Sequence, residues 1–167
     1  MNLRTYTAVD RAACLALFDG NVPEYFLAIE RAEYATFVDD ERNRPYFVLE
    51  DECDGGRIVG CGGYLLVEKG REAWLSWGMV ARDRHRQGLG RMLLLARLHR
   101  LCRLGSVRLV RIDTTQHSRG FFERHGFAAE HVTEPGYGPG MHRVDMTLRL
   151  DAARCRAIET QAAASVR

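Results

Sequence analysis

No apolar run in this 167-residue chain approaches the roughly 18 residues of a membrane span, and the start, Met1-Asn2-Leu3-Arg4-Thr5, lacks the apolar core of a signal peptide. No membrane partner is expected. The five cysteines, Cys14, Cys53, Cys61, Cys102 and Cys155, are odd in number and widely spaced, and none forms a C-x-x-C pair. That pattern argues against a disulfide framework and against a zinc site, so idle thiols, a cytoplasmic protein and no metal are expected. Charge of one sign is also missing: 24 Lys and Arg against 22 Asp and Glu leave +2. With no basic strand studded by aromatics, nucleic acid is not an expected partner. What is present, 46% apolar and 28% charged residues, is the composition of a globular chain. At about 150 residues per domain it makes one domain.

Periodicity sets the element order. Leu3 to Tyr6 reads as a short strand, and Thr7 with Asp10 forms a capping-box pattern opening a helix from about Val9 to Phe18, ended by Gly20. A second helical stretch, about Tyr25 to Val38, carries Phe26, Ile29, Ala32 and Phe37 near helical spacing. Strands then follow at Tyr46 to Glu50, Ile58 to Val67 and Ala73 to Val80, parted by the turn signals Asp54-Gly55-Gly56 and Lys69-Gly70. A long apolar helix runs from about Gly88 to Leu104, with Arg97, Arg100 and Arg103 marking its wet side. Val107 to Ile112 follows it as a strand parallel to Ala73 to Val80. Ser118 to Arg124 is a short helix, Phe127 to Val132 a strand, Glu134 to Gly140 a Gly/Pro loop, and Val144 to Leu150 the last strand. The fold class is thus α/β (α+β), with a mixed, mainly antiparallel sheet of about seven strands and about four helices. Residues 1–150 make the domain, and the Ala-rich 151–167 an appended helix or tail.

The informative segment is Trp77-Gly78-Met79-Val80-Ala81-Arg82-Asp83-Arg84-His85-Arg86-Gln87-Gly88-Leu89-Gly90-Arg91, a strand running into a glycine turn that opens the long helix. Unpaired N–H groups at a helix start, approached closely at Gly88 and Gly90, suit phosphate oxygens, and Arg84, Arg86 and Arg91 add charge. A tight helix start with a solvated basic rim is the plainer alternative. A Walker loop is excluded, because Gly90 is followed by Arg91-Met92. A dinucleotide turn is poorly matched, since Leu93 stands where its third glycine belongs. Gly78 inside a strongly β run marks either a bulge or relief of crowding beside Trp77. A bulge would splay the strand from its parallel neighbour and offer backbone groups of Met79 and Val80 to an extended amide-containing ligand.

With that turn in place the chain resembles the GNAT superfamily of acetyl-CoA-dependent N-acetyltransferases. His85-Arg86-Gln87-Gly88-Leu89-Gly90 is similar to the family's pyrophosphate loop, and Phe122-Glu123-Arg124-His125-Gly126-Phe127 to its later Tyr-Glu-x-x-Gly-Phe element. The resemblance implies that Met79 and Val80 hold the pantetheine arm and polarise the thioester. It further implies that Arg86, Gln87, Gly88, Leu89 and Gly90 grip the pyrophosphate, with His85 and Arg91 beside them, and that Thr115 and Ser118 contact coenzyme A. Phe122 replaces the Tyr that protonates the thiolate in many members, and Trp74 stands where some keep a carboxylate base.

Direct attack by an amine of pKa about 10.4 costs roughly 4.6 kcal/mol of deprotonation at pH 7, so a base should help. Glu24 and Glu72 are the candidate bases. The thiolate, of pKa about 8.5, departs tolerably well unaided. Tyr137, in the Gly/Pro loop, is a substitute acid or else a substrate-lining aromatic. From Asp19 to Asp54 eleven acidic residues face three arginines, and from Arg82 to Arg124 the ratio reverses. A basic half suits an anionic donor and an acidic half a cationic amine, whether small molecule or peptide. A non-catalytic coenzyme A sensor is the alternative, and a homodimer is compatible with either reading.

Overall fold

The structure is a computed structural model that describes residues 1–164, so the last three positions of the expected 151–167 tail lie outside the described residues. Seven strands, β1 (Asn2–Thr5), β2 (Tyr46–Asp51), β3 (Arg57–Val67), β4 (Glu72–Val80), β5 (Leu109–Thr115), β6 (Ala128–Gly138) and β7 (Met141–Arg149), form one sheet ordered β1-β2-β3-β4-β5-β7-β6. Neighbours are antiparallel except β4 and β5, which run parallel, as the strand–helix–strand order predicts. Among the described residues there are five α-helices, the four expected in residues 1–150 and one in the appended segment: α1 (Arg11–Asn21), α2 (Arg31–Asp39), α3 (Leu89–Leu104), α4 (Gln116–Arg124) and α5 (Ala152–Ala164).

Alternation along the strands feeds two cores. Phe47, Ala73, Leu75, Val110, Ile112, Val144 and Met146 pack under α3, α4 and α5, while Tyr46, Val48, Val59, Cys61 and Met79 pack under α1 and α2. Helices therefore cover both faces of the sheet.

Local chemistry explains where elements depart from expectation. The capping pair is present, Asp10 accepting from the Thr7 N–H at 2.9 Å, but it opens a 3-10 turn, and α1 begins only at Arg11. α1 also runs past Gly20 to Asn21, whose side-chain amide donates to the Leu17 carbonyl at 2.8 Å. The second helix starts at Arg31, not Tyr25, because Glu30 accepts from the Leu27 N–H at 2.6 Å and fixes the first turn there. That leaves Phe26 free to pack on Phe18 and Trp77. The expected Gly/Pro loop is part of β6, although register with β7 is lost between Thr133 and Gly138.

Two sequence expectations are overturned. Arg97 is not on the wet side of α3: it is 3% exposed, with its guanidinium under the sheet. Cys102 and Cys155 form a disulfide, Cα atoms 5.6 Å apart and 53 residues apart in sequence, which ties α5 to α3. The widely spaced pair could not be seen without the helix packing. Cys14, Cys53 and Cys61 are free thiols. No helix among the described residues is long and apolar enough to cross a membrane.

Packing at two glycines gives a stability test. A Cβ at Gly63 would lie 2.5 Å from the Pro45 carbonyl oxygen, a backbone clash, whereas a Cβ at Gly20 meets nothing within 4 Å. Gly63→Ala should cost at least about 2 kcal/mol in urea unfolding. Gly20→Ala in α1 should add roughly 0.5–1 kcal/mol.

Candidate functional site

β4 and β5 pair only over Glu72↔Leu109, Ala73↔Val110 and Trp74↔Arg111, and then part. The cause lies in β4. Cys61 faces Met79 and Gly63 faces Ser76, so Gly62 alone opposes both Trp77 and Gly78, and the extra residue is a bulge. Of the two readings of Gly78, the bulge is the one observed. Trp77 takes φ +41°, costly for a bulky residue, and is held there from several sides. Its ring packs within 6.2 Å, centroid to centroid, of Phe18, Phe26, Tyr34 and Phe37, and its carbonyl accepts from the Tyr46 hydroxyl at 2.9 Å.

Register decides which backbone groups face the opening. The Ala81 N–H donates to the Val59 carbonyl at 2.8 Å. Bonded pairs alternate in an antiparallel ladder, so Met79 bonds to Cys61 while Val80 turns its groups outward. Met79, 5% exposed, is therefore not a backbone contact for a ligand, which corrects the sequence expectation. Val80 offers its N–H. Its carbonyl accepts from Asn21 Nδ2 at 2.9 Å and lies 3.0 Å from His85 Nε2.

Beyond β4 the chain turns through Arg82–Arg84, where the Arg84 and His85 N–H groups bond to the Ala81 and Arg82 carbonyls. The His85 N–H is thus engaged within the turn. Arg86 (φ +62°), Gln87 and Gly88 (φ +83°) are exposed, and α3 begins at Leu89 with no side-chain cap. Gly90 sits in the crook of two walls. A Cβ there would be 3.7 Å from the Phe121 ring and 4.0 Å from Val80 Cγ2. The glycine turn, the outward strand residue and α4 thus converge at the parting of the strands. Arg91 is half-buried in the first turn of α3.

The other lip is the end of β5. Thr115 is 5% exposed and Ser118 half-buried. Thr115 Oγ1 and, across the gap, Ser76 Oγ are buried with no hydrogen-bond partner among the described residues. Such orphaned hydroxyls are rare, and here each stands on a strand that borders the parting. Phe122 belongs to the core cluster. It is 7% exposed, its ring 5.4 Å from Phe127, inside the core under α3. Its neighbour Phe121, which the sequence reading did not single out, is the ring that reaches Gly90. Tyr25 was also missed. Its ring lies 5.4 Å from His85 and 6.4 Å from His117, spanning from the glycine turn to the start of α4.

The candidate acid and bases are scattered. Glu72, at the far end of β4, accepts from Arg111 Nε at 2.8 Å, and Glu24 from Arg82 at 2.6 Å. Five residues of strand, roughly 16 Å, separate Glu72 from Trp77. Tyr137 donates its hydroxyl proton to Asp113 at 2.6 Å. Burial first, and then the Asp113 charge, push this phenol well above its ordinary value, which makes it a poor donor to a thiolate. Asp113 lies two residues past the last residue that pairs with β4, so the pair stands where the strands part. Glu30 joins them. Burial raises its carboxyl, with Glu33 and Asp113 adding to the effect, while the Leu27 N–H opposes it. Most of the acidic run is consumed elsewhere: Arg31 holds Asp19, Arg11 holds Asp39, Arg42 holds Asp40, and Arg84 holds Asp51 and Asp54.

A mixed sheet that parts beside its one parallel pair, with a glycine turn opening a helix at the parting, is the framework of an acyl-transfer fold. The chain belongs to the GNAT acetyltransferase family, whose model matches residues 14–127. The ribosomal-protein-S18-alanine N-acetyltransferase of Escherichia coli superposes with a TM-score of 0.73 at 19% identity, covering 90% of this chain and 94% of that one. Ribosomal-protein-alanine N-acetyltransferase of Brucella melitensis gives 0.70 at 24% identity, covering 90% and 100%. An aminoglycoside 6'-N-acetyltransferase solved with coenzyme A gives 0.71 at 15%, covering 89% and 97%. These likenesses establish the fold. No curated protein matches the sequence.

The two phenylalanines separate by experiment. Phe122→Ala should cost about 3–5 kcal/mol of stability, as for a core ring. Phe121→Ala should cost less and weaken coenzyme A binding about tenfold in calorimetry, by loss of a wall of the site.

Proposed function

We propose that the protein is an acetyl-CoA-dependent N-acetyltransferase whose acceptor is a cationic primary amine, attacking the thioester directly. The observation that supports it most is the bulge-driven parting of β4 and β5, in line with the uncapped start of α3 and flanked by the buried hydroxyls of Ser76 and Thr115. These residues fit the donor. Arg86 through Gly90 would take the pyrophosphate on main-chain N–H groups, with His85 and Arg91 beside them. The Val80 N–H would take the pantetheine arm, and Thr115 and Ser118 its far side.

On the acceptor side the proposal moves away from Glu24 and Glu72, both held by arginines, to Glu30 and Asp113. An ammonium between these carboxylates is held electrostatically, and Glu30, with its raised carboxyl, is the better base. The ammonium proton passes to Glu30 directly or through one water. The nitrogen lone pair then forms the N–C bond, the C–S bond breaks with its electron pair left on sulfur, and the second nitrogen proton passes to that thiolate or to water. At a thiol pKa of about 8.5 the departing thiolate needs no donor, so Tyr137 serves to line the site and to orient Asp113. Acetyl-CoA use keeps the cytoplasm as the proposed compartment, although the Cys102–Cys155 pair removes the cysteine argument for it.

Thiol release from acetyl-CoA over a panel of cationic, neutral and anionic amines tests this reading. Turnover should be confined to cationic amines, and Asp113→Asn should raise their KM about tenfold while the acetyl-CoA KM stays put. Turnover confined to neutral or anionic amines would sink the acceptor assignment. A second reading, a coenzyme A sensor without turnover, gains from Phe122 itself, whose ring has no transferable proton in the place where many family members carry a tyrosine. Binding of coenzyme A with no thiol release from any amine would establish it.

A further inference from the structure

Directly beneath the bulge lies a charge that packing alone does not require. Arg97, projecting from the middle of α3, is 3% exposed, and among the described residues no carboxylate neutralises it. Among the described residues its hydrogen bonds are weak ones to carbonyls, Nε to Leu93 at 3.2 Å and Nη1 to Gly63 at 3.4 Å. A buried, unpaired cation is costly, and a leucine or methionine on this face of α3 would fill the space without that cost.

The sheet has made room for it. A Cβ at Gly62 would stand 3.0 Å from Nη1, and one at Gly78 2.9 Å from Nη2 and 3.0 Å from Nη1. Gly62 and Gly78 are the two glycines of the bulge, one on each strand. Two strands thus give up their side chains at the one irregular point of the site, and a guanidinium fills the slot. Burial lowers Arg97 to about 10, partly offset by Tyr46 and Cys61, so the side chain is a cation at neutral pH.

We infer that Arg97 is a positioning residue for acyl transfer: its charge, set under Gly78, fixes the bulge and strengthens the positive field of the strand's outward N–H groups where the thioester oxygen becomes negative. The inference rests on the reading that the thioester lies in the parted strands, and it assigns Arg97 no contact with substrate. Since the effect appears only as charge develops, it should act on kcat and leave ground-state binding alone.

Arg97→Met keeps the volume and removes the charge; Arg97→Lys keeps the charge and loses the fork. Steady-state thiol release and calorimetric binding of coenzyme A should be measured on both variants and on the unaltered protein. For Arg97→Met the expectation is a kcat about 30-fold lower, with coenzyme A affinity and acetyl-CoA KM within about twofold, smaller than the loss of a direct oxyanion donor. Arg97→Lys should recover most of the lost rate, which a purely steric filler would not do. Equal kcat for Arg97→Met and the unaltered protein, or an Arg97→Lys enzyme as slow as Arg97→Met, overturns the inference while leaving the proposed function standing. Should Arg97→Met fail to fold, Arg97→Lys decides alone: kcat within about fivefold of the unaltered protein supports the charge, and a larger loss overturns it. No thiol release by the unaltered protein overturns the inference and the proposed function together.

Discussion

The whole site depends on one extra residue in β4. Without the bulge at Trp77 and Gly78, β4 and β5 would continue as an ordinary parallel pair, and their backbone groups would be engaged with each other. The extra residue breaks that ladder and leaves an edge inside the sheet. An internal edge is unstable by itself, so the protein surrounds it with constraints. Four rings pack around Trp77, Tyr46 holds its carbonyl, and Asn21 holds the carbonyl of Val80. The strain at Trp77 is local, and the burial that opposes it is spread over α1, α2 and β2.

Much of this was legible in the sequence. The basic turn with two glycines and the strand–helix–strand order were enough for the parallel pair and the helix start, and the glycine inside a β run left the bulge as one of two readings. Such features are written in adjacent residues, where backbone conformation is local physics. What stayed hidden depends on residues far apart in sequence. The register that turns Met79 inward and Val80 outward follows from Val59 and Cys61, some 18 residues upstream. Which of Phe121 and Phe122 reaches Gly90 is set by the rotation of α4, and nothing in the pair itself says so. The Cys102–Cys155 bond needs α5 laid along α3, and the Tyr137–Asp113 contact reaches across β7, which lies between β6 and β5 in the sheet.

Charge shows the same division. The acidic and basic halves of the sequence are real, yet most of the acidic members are paired across short distances on the surface, where each pair contributes about 1 kcal/mol or less. What distinguishes the site is three charges away from those surface pairs: Glu30 and Asp113, the latter facing Tyr137 and Arg143, on one side of the parting, and Arg97 below it. None of the three stood out in the sequence, where Arg97 read as a solvated helix position. Periodicity misassigned it because a helix face cannot show that the strands above carry glycines.

Asn21 gives the architecture a mechanical property. One carboxamide joins the last turn of α1 to the carbonyl of Val80, with bonds of 2.8 and 2.9 Å to Leu17 and Val80. The segment leaving that turn carries Tyr25 and Glu30. The end of β4 and the end of α1 are therefore fastened at one point by a side chain that spends both of its amide hydrogens on backbone carbonyls, so neither element can shift there without breaking a bond to the other.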